Sequence, residues 1–207
     1  MKMYSYIITR DFGFAPNPFG GFCTLATCKP TIRNAAQVSD WIIATGPKTF
    51  YNKPACLFFA MKVEEKLSYN KYWEDERFQY KKPIFNGSLK QCFGDNIYTY
   101  NEALKVWHQQ DSHHSLEDGI INKKNLKNDT KSSYVLISKH FYYFGKACVM
   151  IPETFRDRVR QKTRFPLYKE VEIKYAKDLI HWLETSYEIG ILDEPMEFAN
   201  GFKRFNT

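Results

Sequence analysis

Asp111-Ser112-His113-His114-Ser115 gathers two of the chain's five histidines beside an aspartate and two hydroxyls. Imidazole is the side chain whose proton affinity lies nearest neutral pH, and an adjacent carboxylate fixes its tautomer and raises its basicity. On a strand Asp111 and His113 would share a face; on a helix Asp111 and His114 would. Either geometry permits an Asp–His pair. Asp111, His113 and His114 are therefore the expected reaction centre, with Ser112 beside them as a nucleotide contact. Neither Ser112 nor Ser115 sits in a GxSxG nucleophile elbow. A metal would need a third ligand from a distant stretch, such as Asp95, Asp129 or His140, and no metal is expected. The plainer alternative is a polar surface loop with half-exposed, hydrogen-bonded histidines.

A second set lies near the amino terminus. Arg10 and Asp11 end the first strand-like run, and Lys29 and Arg33 follow a loop dense in Gly and Pro. Guanidinium recognises phosphate through paired donors, so Arg10, Lys29 and Arg33, with Asp11, are expected to hold a nucleotide. A helix start near Thr31 would add backbone N–H donors. Phe12, Phe14, Phe19 and Phe22 alternate with glycines and offer a stacking wall for a base. The competing reading is a local Arg10–Asp11 salt bridge above a phenylalanine core. Asp95 and Asn96 complete the expected nucleotide-binding residues, although Gly94-Asp95 is also a turn signal. The chain has no GxGxxG and no GxxxxGK[ST] run, which disfavours a dinucleotide or P-loop role, and no cofactor is expected.

The elements that must position these residues are short. KMYSYIITR near the start reads as a strand, FCTLATC (22 to 28) as another, and Thr31 as the cap of a brief helix. WIIATG, ended by Gly46-Pro47, is an apolar strand, and ACLFFAMKVEEKL (55 to 67) reads as one long strand. NKYWEDERF is a short helix or turn. Residues 80 to 132 are polar and weakly periodic, so they read as a large functional loop with short elements. YVLIS and FYYF return as strands, with FYYFGKACVMI extended throughout. PETFRDRVRQ forms a helix with Pro152 and Glu153 in its first turn. In KYAKDLIHWLETSYEIG, apolar residues Ala176, Leu179, Ile180, Leu183 and Tyr187 recur at helical spacing, and Gly190 ends the helix. The tail EFANGFKRFNT is docked or partly mobile.

The bulk numbers fit this picture. A length of 207 residues suits one α+β domain spanning 1 to 207, with a mixed or barrel-like sheet flanked by a carboxy-terminal amphipathic helix. Aromatic residues make up 17% of the chain, enough for a well-packed core and for stacking on flat ligands. The formal net charge of +7 suits a polyanionic partner. Five single cysteines without CxxC spacing point to reduced thiols and a cytoplasmic location, with Cys56 and Cys148 as small core residues. No leader or membrane span is expected.

Two long segments carry a family resemblance: RDFGFAPNPFGGFCTLATCKPTIRNAAQVSDWIIATG, and GDNIY with WHQQDSHHSLEDGIINKKN and YVLISKHFYYFG. Over about residues 4 to 152 they resemble the nucleotide modification associated domain 2 family. That resemblance implies a setting in nucleic-acid modification, DNA modification and phage-related systems, and a nucleotide or nucleic-acid partner. The order of elements is also similar to PUA-like barrels, including the EVE and ASCH groups, which bind modified bases; Ser39-Asp40 stands where those have Gly-Asp. The expected function is thus a nucleotide- or base-binding protein, an acid–base hydrolase or transferase acting on a nucleotide. The alternatives are a PUA-like reader of modified bases or a nucleotide-sequestering protein.

Overall fold

The computed structural model describes residues 1–46, 56–161 and 168–205. Its largest sheet runs in the order β11 (Lys169–Val171), β1 (Met3–Ile7), β3 (Trp41–Thr45), β4 (Cys56–Lys62), β9 (Phe141–Tyr143), β12 (Gly190–Ile191), and β10 (Val149–Met150) also pairs with β4. β1 and β3 are parallel, as are β9 and β12, and the other pairs are antiparallel. A smaller antiparallel sheet runs β2 (Cys23–Leu25), β8 (Tyr134–Ser138), β5 (Glu65–Ser68). β6 (Tyr98–Asn101) and β7 (Val106–Gln109) form a separate hairpin, preceded in the chain by the short helices α2 (Tyr69–Glu74) and α3 (Leu89–Cys92). The large sheet ends on β11 and β12, so the described residues form a mixed α+β fold with no closed barrel.

Three apolar layers explain why the central strands read as continuous hydrophobic runs. Tyr4, Tyr6, Ile42, Ala44, Met61 and Tyr143 face Cys23, Leu25 and Leu136 of the small sheet. On the opposite face Trp41, Ile43, Ala60 and Tyr142 meet α5 (Glu153–Val159) and α6 (Ile173–Ser186) through Phe155, Ala176, Leu179 and Leu183. With both faces covered, β3 and β4 gain nothing from polar alternation. The far side of the small sheet packs on a third, aromatic layer containing Phe12, Phe14, Phe78, Phe93 and Tyr98.

Several expectations are corrected by this packing. The stretch from 55 to 67 is two strands, its first residue lying outside the described residues. Val63 and Glu64 carry the chain from the large sheet to the small one, and Lys139 and His140 carry it back. Glu64 joins the two crossings by accepting from the His140 amide at 3.1 Å. FYYFGKACVMI is broken by a 3-10 turn at Gly145–Ala147. The first α-helix, α1 (Pro30–Ala35), is preceded by Lys29 in the left-handed region, so Thr31 lies inside the helix and does not cap it. α6 closes at Ser186, and Gly190 belongs to β12. Pro47, read as part of a turn, lies outside the described residues.

The thiols also depart from expectation. Cys56 and Cys148 form a disulfide across 92 positions, while Cys23, Cys28 and Cys92 are free. An odd count spread singly through the chain concealed a pair that the β4–β10 pairing brings together. No helix among the described residues is long and apolar enough to cross a membrane.

Candidate functional site

The polar stretch from 80 to 132 is folded, and its short elements build the histidine site. After β7 the chain makes a tight turn in which the Ser112 amide donates to Ser115 Oγ at 3.0 Å and Ser112 Oγ accepts from the His114 amide at 3.3 Å. The His114 carbonyl accepts from Gln109 Nε2 and from Asn125 Nδ2, both at 3.0 Å. Asn125 belongs to α4 (Lys123–Asp129), capped by Asn122 Oδ1, which accepts from the Lys124 and Asn125 amides. Asn125 and Asp129 are four residues apart, on one face of this helix and both buried, so α4 turns Asp129 inward towards His114.

Asp129 is the carboxylate that His114 meets. His114 Nδ1 lies 2.7 Å from Asp129 Oδ2, and its Nε2 lies 3.8 Å from Cys28 Sγ. Asp129 also accepts from Tyr98 Oη at 2.9 Å and from the Cys28 amide at 2.7 Å. Burial alone would lower the His114 pKa, but the charge of Asp129, and then Cys28, outweighs it and pushes it up to about 10. Burial likewise opposes ionisation of Asp129, and the charges of His114 and Arg33 overcome it, holding that carboxyl below its usual range. His113 is different. Burial, then the neighbouring charge of His114, drives it down to about 3, so it is a neutral ring. It packs between Phe12, Phe14 and Phe93, with Nδ1 against the Lys203 carbonyl.

The two sequence-predicted stretches share one cavity of about 620 Å³. Arg10, Lys29, His113 and His114 line it, together with Cys28, Tyr6 and Phe205. The Arg10 guanidinium lies 5.6 Å from the centroid of Phe205, and Lys29 Nζ lies 4.4 Å from that of Tyr6. Phe205 stacks on His114 with centroids 5.6 Å apart. The Cys28 and Lys29 backbones are both left-handed, at φ 55° and 40°, where few non-glycine residues sit.

Other predicted residues face elsewhere. Asp111 does not pair with a histidine: it binds Arg204 and Ser115 Oγ, and these contacts outweigh the effect of burial and lower its pKa. Arg33 is fully buried and donates to the carbonyls of Cys28, Tyr134 and Asp129, so it holds backbone where a phosphate contact was expected. Asp11 is buried, accepting from the Gly13 amide at 3.2 Å and from Tyr143 Oη. Asp95 accepts from Tyr72 Oη and Thr24 Oγ1, and Asn96 donates to the Tyr72 and Phe78 carbonyls. Ser112 is buried in its own turn. None of these six lines the cavity.

Cys28, Phe205 and the role of Asp129 beside His114 were not anticipated. Cys28 precedes His114 by 86 positions and lies in no motif, so nothing local connects them. Asp129 is among the distant ligands the sequence offers, and its one legible signal is its place four residues after Asn125. Cys28, His114 and Asp129 also form a group that could ligate a metal. However, Asp129 and Cys28 address opposite nitrogens of the same ring, an arrangement suited to passing a proton and poorly suited to converging on one ion.

Comparisons with curated proteins and with solved structures give no match. A family model does match, and it extends the likeness seen in the sequence beyond residue 152, through α6 to the tail. The match covers residues 1–202 of 207, and on that basis the chain belongs to the family described as nucleotide modification associated domain 2.

Proposed function

We propose that this chain binds a nucleotide or nucleobase in the cavity and acts there as an acid–base hydrolase or transferase, in DNA modification or phage–host conflict. The observation that carries this reading is the make-up of one cavity: two cations, Arg10 and Lys29, beside aromatic rings and an imidazole backed by a carboxylate. Its volume falls within the range of small-molecule sites, about 300–1,000 Å³. Cations beside a stacking face suit the two halves of a nucleotide, phosphate and base. Asp129 keeps His114 charged and oriented, as a general acid requires. The description of the family, nucleotide modification associated domain 2, supports a nucleotide-related role.

Titration calorimetry with ribo- and deoxynucleoside monophosphates tests this. Binding to the wild type is expected, with Arg10→Ala weakening it about tenfold, a change of about 1.4 kcal/mol. No binding of any nucleotide, or equal binding by Arg10→Ala, would remove the basis for the reading. The rival is a non-enzymatic, PUA-like reader or a sequestering protein, favoured by the neutral, aromatic-packed His113 in the cavity wall. It predicts binding without turnover. Steep weakening by salt would point to a polynucleotide, and weak salt dependence to a free nucleotide.

A further inference from the structure

We infer that Cys28 is a nucleophile whose Sγ adds covalently to an unsaturated ring carbon of a pyrimidine base held in the cavity, with His114 and Asp129 serving it. The inference rests on the cavity being a nucleotide site and names the chemistry of that site.

Three observations support it. The Cys28 Sγ, the His114 ring and the Asp129 carboxylate form a chain, with 3.8 Å from sulfur to Nε2 and 2.7 Å from Nδ1 to Oδ2. This is the order nucleophile, base, orienting carboxylate, which activates a thiol by moving its proton. The chain is also braced: Tyr98 Oη and the Cys28 amide fix Asp129, and Arg33 ties the carbonyls of Cys28 and Asp129 to one guanidinium. Finally, Cys23 and Cys92 are buried, whereas Cys28 is half-buried and lines the cavity.

The choice of electrophile follows from the thiolate. Sulfur is soft and polarizable, and it reacts at unsaturated carbon far more readily than at phosphorus. Arg10 and Lys29 suit the phosphate, so the base is the part left to meet the sulfur and the flat rings. In the step, Cys28 reacts as a thiolate whose proton already resides on Nε2 of the charged His114 ring, and a sulfur lone pair forms a bond to C6 of the pyrimidine. The C5=C6 π pair moves to C5, conjugated with the C4 substituent, and the Nε2 proton is then delivered to C5. The product is a 5,6-dihydropyrimidine thioether. Reversal restores the double bond and releases Cys28, and because either hydrogen on C5 can leave, the original one exchanges with solvent. No oxidant, reductant or second substrate is required.

That exchange provides the test. The protein is incubated with dUMP and dCMP carrying tritium at C5, and with the same labelled bases in a single-stranded oligonucleotide, and tritium released to water is counted. The wild type should release it at least about 100-fold faster than buffer, and Cys28→Ser should fall to the buffer rate while still binding nucleotide. Release retained in Cys28→Ser, or no release from a wild type that binds nucleotide, overturns the inference. If no nucleotide binds, the reading of the cavity fails and the pyrimidine step fails with it. Alkylation of the wild type by iodoacetamide then judges the thiol alone. Rapid, selective modification at Cys28 supports an activated nucleophile, and a rate no faster than that of free cysteine overturns it. One zinc ion per chain retained through purification and lost in Cys28→Ser would also overturn it, by making the three side chains ligands.

Discussion

At Arg33 one buried guanidinium meets four oxygens: the carbonyls of Cys28 at 2.8 Å, Tyr134 at 2.6 Å and Asp129 at 2.6 Å, and Tyr69 Oη at 2.9 Å. Its planar fork serves all four at once, which a single ammonium cannot reproduce. Arg33→Met leaves three carbonyls without that donor, at about 1–3 kcal/mol each where nothing replaces it. Urea denaturation should therefore show a loss of several kcal/mol, with Arg33→Lys recovering only part of it. Arg10 is exposed at the cavity, and Arg10→Ala should leave the urea midpoint nearly unchanged while affecting nucleotide binding. Identical unfolding curves for Arg33→Met and wild type would show that the clamp is dispensable.

At the scale of elements, the residues from 203 to 205 form one wall of the site. The Phe205 amide donates to the His113 carbonyl at 2.6 Å, and its own carbonyl accepts from Asn125 at 2.9 Å. Arg204 pairs with Asp111 and donates to the Ser112 carbonyl at 2.9 Å and to Ser115 Oγ at 2.7 Å. Arg204 is mostly buried and Asp111 about a third exposed, so solvent screens part of the attraction and the pair contributes about 1 kcal/mol. Arg204→Ala should scarcely lower thermal stability but should raise hydrogen exchange at the Phe205 amide, because the tail opens locally before the layers do. It should also speed alkylation of Cys28 as Phe205 leaves the cavity. Unchanged exchange would mean that the ring packing of Phe205 on His113 and His114 holds the tail by itself.

For the whole molecule, two adjacent histidines make stability depend on pH in opposite directions. His113, ordinarily near 6.5, falls to about 3 in the fold, chiefly through burial. The unfolded chain thus takes up its proton first, and stability is lost as pH falls from about 6.5 towards 3. His114 rises to about 10 because Asp129 and Cys28 outweigh burial, so its contribution is complete below about 6.5 and is lost as pH rises through 10. Urea midpoints across pH should show His113→Asn flattening the acid limb and His114→Asn flattening the alkaline limb. Parallel profiles for wild type and both variants would contradict these assignments. The Cys56–Cys148 disulfide acts on the unfolded chain as well, closing a loop of 92 positions. Reduction, or the double change Cys56→Ser with Cys148→Ser, should cost about 2–5 kcal/mol in the same assay.

Much of the framework was legible in the sequence because it depends on local chemistry. MYSYI and WIIAT are β-branched and aromatic runs that form strands wherever both faces are covered, and the spacing of Ala176, Leu179 and Leu183 gives α6 its buried stripe. The Gly- and Pro-rich loop and the basic and histidine-bearing stretches were equally visible. The element boundaries at Val63 and Gly145 were not, because each break is only two or three residues long and strand-forming residues stand on both sides of it. The polar region around α4 read as a loop because its Asn, Asp and Gln side chains, ordinarily solvated, are buried here against backbone. The sequence by itself determined which residue types were present and which short segments would be strands or helices, since those follow from neighbours a few positions apart. Only the tertiary structure decided that His114 meets Asp129 and Cys28 while Asp111 meets Arg204, because these partners lie from 15 to 93 positions apart and only packing of the layers brings them together.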